Sequence, residues 1–146
     1  MLTVGFFGSV YPHKGAHQLV EAVQQVPAPV RVRIHGEVPD AVRAQLAAHD
    51  RKGVVELCGA FSPSELPALL AGGDAAVLPS VWWDCAPLTA GECLAARVPV
   101  IAPRMGGLAA CIEDGVDGLA YDGLDVAGLA AALQRLATED GLLERL

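Results

Sequence analysis

Two acidic side chains flank a predicted helix start in the second half of the sequence. Asp84 lies in the loop before the helix, and Glu92 lies within a helix that is otherwise apolar. An unpaired carboxylate in such a helix must face solvent, pair with a cation or accept hydrogen bonds from ligand hydroxyls. Asp84 and Glu92 can both face one cleft, so they form a candidate binding site. The alternative is a solvated loop acid and an acid at the rim of the helix.

The start of this helix lacks a conventional cap. Pro87 marks the first helical turn, and the preceding Cys85 and Ala86 cannot cap as Ser, Thr, Asp or Asn would. The free amides near Leu88 and Thr89 therefore need water or a ligand as acceptor. A diphosphate is one anion that suits a helix start.

A second candidate is the loop G-S-V-Y-P-H-K-G, which follows the first apolar run. Gly8 lets backbone approach a ligand, and Lys14 and Gly15 lie at the start of the next helix. The loop suits a phosphate, and His13 could assist. It is neither a Walker A loop nor G-x-G-x-x-G, which argues against a dinucleotide site. The alternative is a surface lysine beside a turn.

The remaining candidates are weaker. Arg104 could reach an anion at the strand ends. Trp82 and Trp83 are better explained by packing than by sugar stacking. The histidines other than His13 are interpreted as surface or strand-end residues; they are His17, His35 and His49. No nucleophile–histidine arrangement is evident.

These residues must be positioned by strands and helices that alternate along the whole chain. Apolar runs that end in Gly or Pro predict strands, and apolar residues at helical spacing predict the segments between them. The predicted strands are 2–8, 30–36, 54–59, 74–80, 98–102 and 118–121. The predicted helices are 14–26, 40–49, 62–71, 87–96, a short one ending at residue 111, and 124–137.

This alternation predicts an α/β fold: a Rossmann-like, doubly wound, six-stranded parallel sheet with helices on both faces. Residues 1–146 form a single domain that ends in an acidic tail, 138–146. Ligands of such sheets bind beyond the carboxyl ends of the strands. Both candidate segments follow predicted strands and so reach that edge.

Composition narrows the function classes. The net charge of -7 argues against nucleic acid as a partner. No apolar stretch is long enough to span a membrane, and no signal peptide is evident, so we expect a cytoplasmic protein with reduced, mostly buried cysteines. The abrupt start of the pattern at Met1 suggests one domain of a longer protein. The cysteine spacings match no zinc pattern, and no metal site is predicted.

The motifs, taken together, resemble a known family. G-S-x-x-P-H-K-G is followed by V-x-L-C-G-x-F-S-x-x-E-L and then by D-A-A-V-L-P-S-x-W-x-D-x-x-P-L-x-x-x-E. P-V-I-A-x-x-x-G-G-L and D-G-x-x-G-L complete the pattern. The sequence is similar to the C-terminal, donor-binding domain of GT-B retaining glycosyltransferases of family four, the glycosyl transferases group 1.

The resemblance implies a role for each motif position. Asp84 would contact the transferred sugar, Glu92 would hold the ribose hydroxyls, and Lys14 would bind the diphosphate. We therefore assign catalysis to those three residues. The nucleoside diphosphate sugar would also contact Gly8, Ser9, Gly15, Gly36, Gly59, Ala60, Phe61, Cys85, Ala86, Pro87, Leu88 and Thr89. The resemblance implies neither a cofactor nor a metal.

The sequence departs from the family pattern at three points. Asp84 replaces the more usual glutamate and is one methylene shorter. Ser9 stands where many members have an arginine that grips the diphosphate. The N-terminal GT-B domain, which brings the acceptor pocket, is missing, so this chain alone should not recognise an acceptor.

Several alternatives remain open. The chain could be an isolated nucleotide-binding module without catalytic activity of its own. A GT-B epimerase or phosphorylase shares the fold. A dinucleotide-dependent oxidoreductase also fits the fold, although its glycine fingerprint is absent. Base, sugar and acceptor are not readable from these residues.

Overall fold

The computed structural model describes residues 1–81, 88–122 and 125–146. Six strands occur in this part of the chain. They are β1 (Leu2–Phe7), β2 (Val30–His35), β3 (Val55–Gly59), β4 (Ala75–Val77), β5 (Val100–Pro103) and β6 (Gly118–Tyr121). The helices are α1 (Ala16–Gln25), α2 (Asp40–His49), α3 (Leu66–Ala71), α4 (Leu88–Ala95), α5 (Gly106–Cys111), α6 (Val126–Thr138) and α7 (Leu142–Arg145).

The strands form one sheet in the order β3-β2-β1-β4-β5-β6, and every neighbouring pair is parallel. The predicted six-stranded parallel sheet is therefore confirmed. The order reverses beside β1, because β2 lies on one side of it and β4 on the other. In doubly wound sheets this reversal opens a crevice at the carboxyl ends of the strands, where ligands bind.

Helices cover both faces of the sheet, as predicted. One apolar cluster joins α1, α2, α6 and α7 to strand residues such as Val4, Val32 and Ile101. The other joins α3, α4 and α5 to Phe7, Ala76 and other strand residues. Adjacent strand residues such as Phe6 and Phe7 belong to opposite clusters, because successive side chains point to opposite faces.

Helix α1 shows how the sequence forms one of these layers. Leu19, Val20 and Val23 recur at helical spacing and are 0–1% exposed. Each such side chain contributes about 1.5–3 kcal/mol when it leaves water. The helix begins at Ala16 rather than at the predicted residue 14, because Pro12–Lys14 form a 3₁₀ turn and Gly15 adopts a left-handed conformation.

Other boundaries also differ from prediction; the strand expected at 74–80, for example, spans only Ala75–Val77. The helix expected at 62–71 begins as a 3₁₀ turn, Pro63–Glu65, and only then becomes α3. Its expected capping interaction is present, since the Ser62 amide donates to the Glu65 carboxylate at 2.6 Å. Residues 138–146, described above as an acidic tail, include α7, whose Leu142 is buried in the core.

Within the described ranges, no helix combines the length and the apolarity that crossing a membrane requires.

Candidate functional site

The loops after β1 and β4 meet at the point where the strand order reverses. Gly15 has φ +76, and a Cβ atom placed on it would fall 1.8 Å from the carbonyl oxygen of Pro79. Only a residue without a side chain allows this contact. The start of α1, and with it the neighbouring Lys14, is thereby held against the end of β4.

A second close contact joins the ends of β1 and β2. A Cβ atom on Gly36, which has φ +151, would fall 1.8 Å from the carbonyl oxygen of Gly8. Backbone hydrogen bonds continue across this edge. The Gly8 amide donates to the His35 carbonyl at 2.9 Å, and the Gly36 amide donates to the Gly59 carbonyl at 2.8 Å. The carboxyl ends of β1, β2 and β3 therefore form one continuous backbone surface.

A cleft of about 350 Å³ lies over this surface. It is lined by Gly8, Ser9, Gly36, Glu37, Ala60, Phe61 and Pro63. Gly8, Ser9, Gly36, Ala60 and Phe61 were all named from the sequence as donor-binding residues. Glu37 and Pro63 were not, because an acid and a proline in predicted loops carry no distinguishing signal in one sequence.

Lys14 carries a positive charge in the loop after β1, the loop whose Gly8 and Ser9 line this cleft. Lys14 is the last residue of the 3₁₀ turn Pro12–Lys14, and it is half-buried. None of the ion pairs among the described residues involves it. Its ammonium group is therefore not paired with any carboxylate of the described residues.

Helix α4 carries the third group of predicted residues. Since α4 precedes a strand that is parallel to β4, its N-terminus lies at the carboxyl edge. Ala90 and Cys93 are buried, whereas Leu88 is 79% exposed and Glu92 is exposed. No ion pair or side-chain hydrogen bond joins the Glu92 carboxylate to another described residue. Its carboxylate is therefore free to accept hydrogen bonds from a ligand.

Glu92 also affects its buried neighbour. Burial, reinforced by the negative charge of Glu92, raises the pKa of the Cys93 thiol to about 12. Cys93 is therefore a packing residue rather than a nucleophile. Cys58, by contrast, is exposed, contrary to the expectation of mostly buried cysteines.

The other predicted positions of this segment lie outside the described residues. They are Asp84, Cys85, Ala86 and Pro87, together with the tryptophan pair Trp82 and Trp83. The side chain of His13 also lies outside the described part of the structure. The juxtaposition of Asp84 with Glu92 stays a prediction.

Arg104 does not have the role suggested from the sequence. Its guanidinium pairs with Asp122 at 3.0 Å and with Asp114 at 3.3 Å. These two contacts join Arg104 to neighbouring loops, so its guanidinium is paired rather than free for a ligand.

His35 is the residue whose position the sequence reasoning described least well. It does end a strand, but it is buried, and its ring stacks on Phe7 with centroids 5.1 Å apart. Burial lowers the pKa of His35, Arg33 lowers it further, and Glu56 opposes them. The alternation V-R-V-R-I-H places His35 on the same face of the strand as Arg31 and Arg33.

A larger groove of about 470 Å³ lies on the other side of the same β1 loop. It is lined by Val10, Tyr11, Pro12, His17, Val42, Gln45, Leu46 and His49. Val10, Tyr11 and Pro12 belong to the loop from Gly8 to Gly15 that the resemblance assigned to the donor diphosphate, whereas the other residues of this groove were not predicted to bind the donor. No group of three or more potential metal ligands occurs within the described ranges.

Comparison with known proteins identifies the family. The model of the glycosyl transferases group 1 matches residues 2–139. The chain belongs to the group 1 glycosyl transferases. A D-inositol 3-phosphate glycosyltransferase from Corynebacterium urealyticum is 31% identical to this group 1 glycosyl transferase chain over 149 residues, covering 94% of it. The match covers 35% of that relative, so the chain spans about a third of its length.

Solved structures share the fold of this group 1 glycosyl transferase chain. Anabaena Alr3699/HepE in complex with UDP and glucose superposes with a TM-score of 0.87 at 22% identity, over 99% of this chain and 41% of that one. The C-terminal domain of a group 1 glycosyl transferase (LpcC) from Francisella tularensis gives a TM-score of 0.79 at 20% identity, over 99% of this chain and 79% of that one. The predicted Rossmann-like fold, as found in GT-B glycosyltransferases, is thus confirmed.

Proposed function

We propose that this chain is the donor-binding half of a retaining glycosyltransferase, which transfers a sugar from a nucleoside diphosphate sugar to an acceptor hydroxyl. The observation that carries the proposal is the cleft at the carboxyl ends of β1–β3. Its lining includes Gly8, Ser9 and Gly36 from the loops that the sequence singled out for a diphosphate donor. Family membership supplies the transferase class.

The charges around the cleft suit a diphosphate. Lys14 offers a cation without a described partner, and the N-terminus of α4 points its amides toward the same edge of the sheet. As the bond between the sugar and the diphosphate breaks, negative charge accumulates on the leaving oxygen. Preorganised donors there would stabilise that charge, which is electrostatic catalysis without a metal ion.

Two carboxylates divide the remaining contacts. Glu92, exposed and unpaired among the described residues, would accept hydrogen bonds from the ribose hydroxyls. Asp84 would contact the transferred sugar. Neither is assigned as a nucleophile, so the proposal includes no covalent sugar–enzyme intermediate.

The acceptor would be bound by an N-terminal GT-B domain. The curated relative is about three times as long as this chain, which leaves room for such a domain. We therefore expect the chain to bind donor and, alone, to transfer no sugar. The alternative function is that of a nucleotide-binding module, which would apply if no such domain accompanied the chain in its natural protein.

Titration tests the proposal. UDP, GDP and ADP are added to the purified chain in the presence of EDTA, and binding is followed by calorimetry. UDP is included because the Anabaena neighbour was crystallised with UDP. Saturable binding of at least one nucleotide supports the donor site and its independence of metal. Absence of binding to all three, with and without Mg²⁺, would refute the donor-binding proposal.

A second experiment separates the transferase from the isolated module. The chain is joined to the N-terminal half of a group 1 relative, and transfer from the bound donor to sugar and inositol acceptors is measured. Transfer by the joined protein, but not by the chain alone, supports the transferase proposal. Product analysis by NMR then gives the anomeric configuration, and an inverted product would contradict the retaining mechanism.

A further inference from the structure

The larger groove, on the other side of the β1 loop, has a floor and a rim of different chemistry. Its floor is apolar, because Val10 and Leu46 are buried and Val42 is half-buried. Its rim consists of exposed residues that carry a ring or a neutral hydrogen-bonding group, namely Tyr11, Pro12, His17, Gln45 and His49. A volume of about 470 Å³ is typical of sites for small molecules. The groove is therefore a candidate site for a second ligand.

Both walls of the groove are held in place by the fold. On one side, the Lys14 amide donates to the Tyr11 carbonyl at 3.0 Å and closes the 3₁₀ turn. On the other side, α2 is anchored by Leu46, which belongs to the same apolar cluster as Val10. The Val10 amide donates to the Glu37 carbonyl at 3.1 Å, and this bond joins the β1 loop to the segment that leads into α2. Preformed walls lose little conformational freedom when a ligand binds.

The lining of the groove favours an uncharged ligand. None of the described residues that line it carries a carboxylate, an ammonium or a guanidinium group. An ionic ligand would therefore lose its hydration without gaining a charged partner. Its polar groups are instead imidazole, amide and phenol, and each of these can both donate and accept hydrogen bonds. A hydroxyl group also does both, so a ligand with several hydroxyl groups matches this rim.

A sugar ring combines the two properties that the groove requires. The faces of a pyranose carry C–H groups and can pack on apolar or aromatic carbon, whereas its edge carries hydroxyl groups. The Tyr11 ring is 55% exposed and would cover one face of the sugar. Gln45 and His49, from one face of α2, would bind the hydroxyl groups. A hydrocarbon ligand would instead cover these polar groups without bonding to them, which is costly.

We propose that this groove binds a neutral saccharide, as a second ligand site beside the donor cleft. The inference rests on the proposed function, because a transferase of this kind meets saccharides as acceptor and as product. Gly8 and Ser9 line the donor cleft, and the next three residues of the same loop line the groove. The groove would hold a sugar unit distant from the reacting hydroxyl group, which the N-terminal domain would still have to position.

Titration with saccharides of defined charge tests the inference. Maltotriose, cellotriose and mannotriose are added separately to the ¹⁵N-labelled wild-type chain, and the amide signals are followed by NMR. We expect saturable binding of at least one of the three, with the largest shifts in α2 and in the 3₁₀ turn. Trigalacturonic acid has a similar size but carries three carboxylates. It should bind more weakly than the best neutral trisaccharide, because the groove offers its charges no partner.

Substitutions on α2 locate the bound saccharide. Val42→Trp should fill the groove and abolish binding, whereas Ala44→Trp is the matched control, because Ala44 is exposed and does not line the groove. Gln45→Ala and His49→Ala should each weaken binding roughly fivefold, because each removes one neutral hydrogen bond. Tyr11→Ala should weaken it roughly tenfold through the loss of the ring. UDP affinity of the four α2 variants should equal that of the wild-type chain.

The outcomes separate this inference from the proposed function. If the chain binds UDP but none of the three neutral saccharides, the inference fails and the donor site stands. Saccharide binding that persists in Val42→Trp, or tighter binding of trigalacturonic acid, also overturns the inference. Self-association that Val42→Trp abolishes would show that a second copy occupies the groove, and would overturn it too. Saccharide binding in the groove without any nucleotide binding would support the site and refute the donor proposal.

Discussion

Gly15, immediately before α1, is packed directly against the carbonyl group of Pro79 in the loop after β4. This contact joins the two loops that flank the reversal of strand order. It depends on the missing side chain, since a methyl group at Gly15 would overlap the carbonyl oxygen. The contact can therefore be tested by adding a single methyl group.

We expect Gly15→Ala to reduce the free energy of unfolding by about 3 kcal/mol or more, because it combines left-handed strain with a backbone clash. Gly53→Ala is the matched control, because Gly53 also has a left-handed φ, +64, but a Cβ atom there would meet nothing within 4 Å. That variant should lose only about 1–2 kcal/mol. Urea unfolding measures both. Equal losses would show that the contact with Pro79 is unimportant.

The two lysines of the chain allow a test of the proposed diphosphate contact. Lys14→Met should weaken nucleoside diphosphate binding on the order of tenfold or more, because a charge-assisted contact is lost. Lys52→Met is the control, since the Lys52 ammonium instead donates to the carbonyls of Val23 and Val26 at 3.0 and 2.6 Å. That variant should lose stability and keep its affinity. Calorimetry at two salt concentrations should also show a smaller salt dependence for Lys14→Met.

Substitutions of the two carboxylates should differ in their effects on the affinities for a plain nucleotide and for a nucleotide sugar. Glu92→Gln should weaken UDP and UDP-glucose alike, because the ribose is common to both. Asp84→Asn should weaken only UDP-glucose. Each loss should be roughly tenfold, as expected when a charged hydrogen-bond partner is removed. Equal losses of plain UDP affinity in both variants would contradict this division of roles.

Arg104 should be dispensable for the nucleotide. Its ion pairs with Asp114 and Asp122 are exposed, so Arg104→Ala should reduce stability by no more than about 1 kcal/mol. Its affinity for UDP should match that of the wild-type chain. A large selective loss of UDP binding would restore the original suggestion that Arg104 reaches the diphosphate.

Burial of His35 predicts acid sensitivity of the fold. Its pKa in the folded chain lies below the unfolded value of 6.5, so the unfolded chain binds the proton more readily. Stability should therefore be lost as the pH falls through about 6.5 toward the folded pKa, with a slope from this group of at most about 1.4 kcal/mol per pH unit. Denaturation curves between pH 5 and pH 8 measure it. His35→Phe should show a smaller loss than the wild-type chain, and identical curves would contradict the prediction.

The sheet was predictable because continuous apolar runs ending in glycine mark buried parallel strands. Gly8 and Gly36 were recognisable for the same reason, because each glycine marks the end of an apolar strand. The helix was predicted to begin at residue 14, whereas Gly15 is left-handed and packs against Pro79, so the helix begins at Ala16. That contact joins residues distant in sequence, and no local pattern reports it.

The chemistry of the site was less accessible than its location. Arg104 looked like a ligand for an anion because its partners, Asp114 and Asp122, come from later turns. His35 was interpreted as a surface or strand-end residue, and it does end a strand, but its ring is buried among Phe7 and Phe61 from other elements. In both cases the local sequence gives the residue type, whereas the partners and the burial of the side chain depend on residues that only the fold brings close.

The loop after β1 is a wall of two separate cavities. Gly8 and Ser9 line the cleft, and Val10, Tyr11 and Pro12 line the larger groove behind it. A compound that enters the groove and displaces the loop would alter nucleotide affinity without touching the nucleotide. In an inhibitor screen based on displacement of a labelled donor, such a compound would register as a hit beside true competitors. Saturation with increasing donor would separate the two, because only a true competitor is completely overcome.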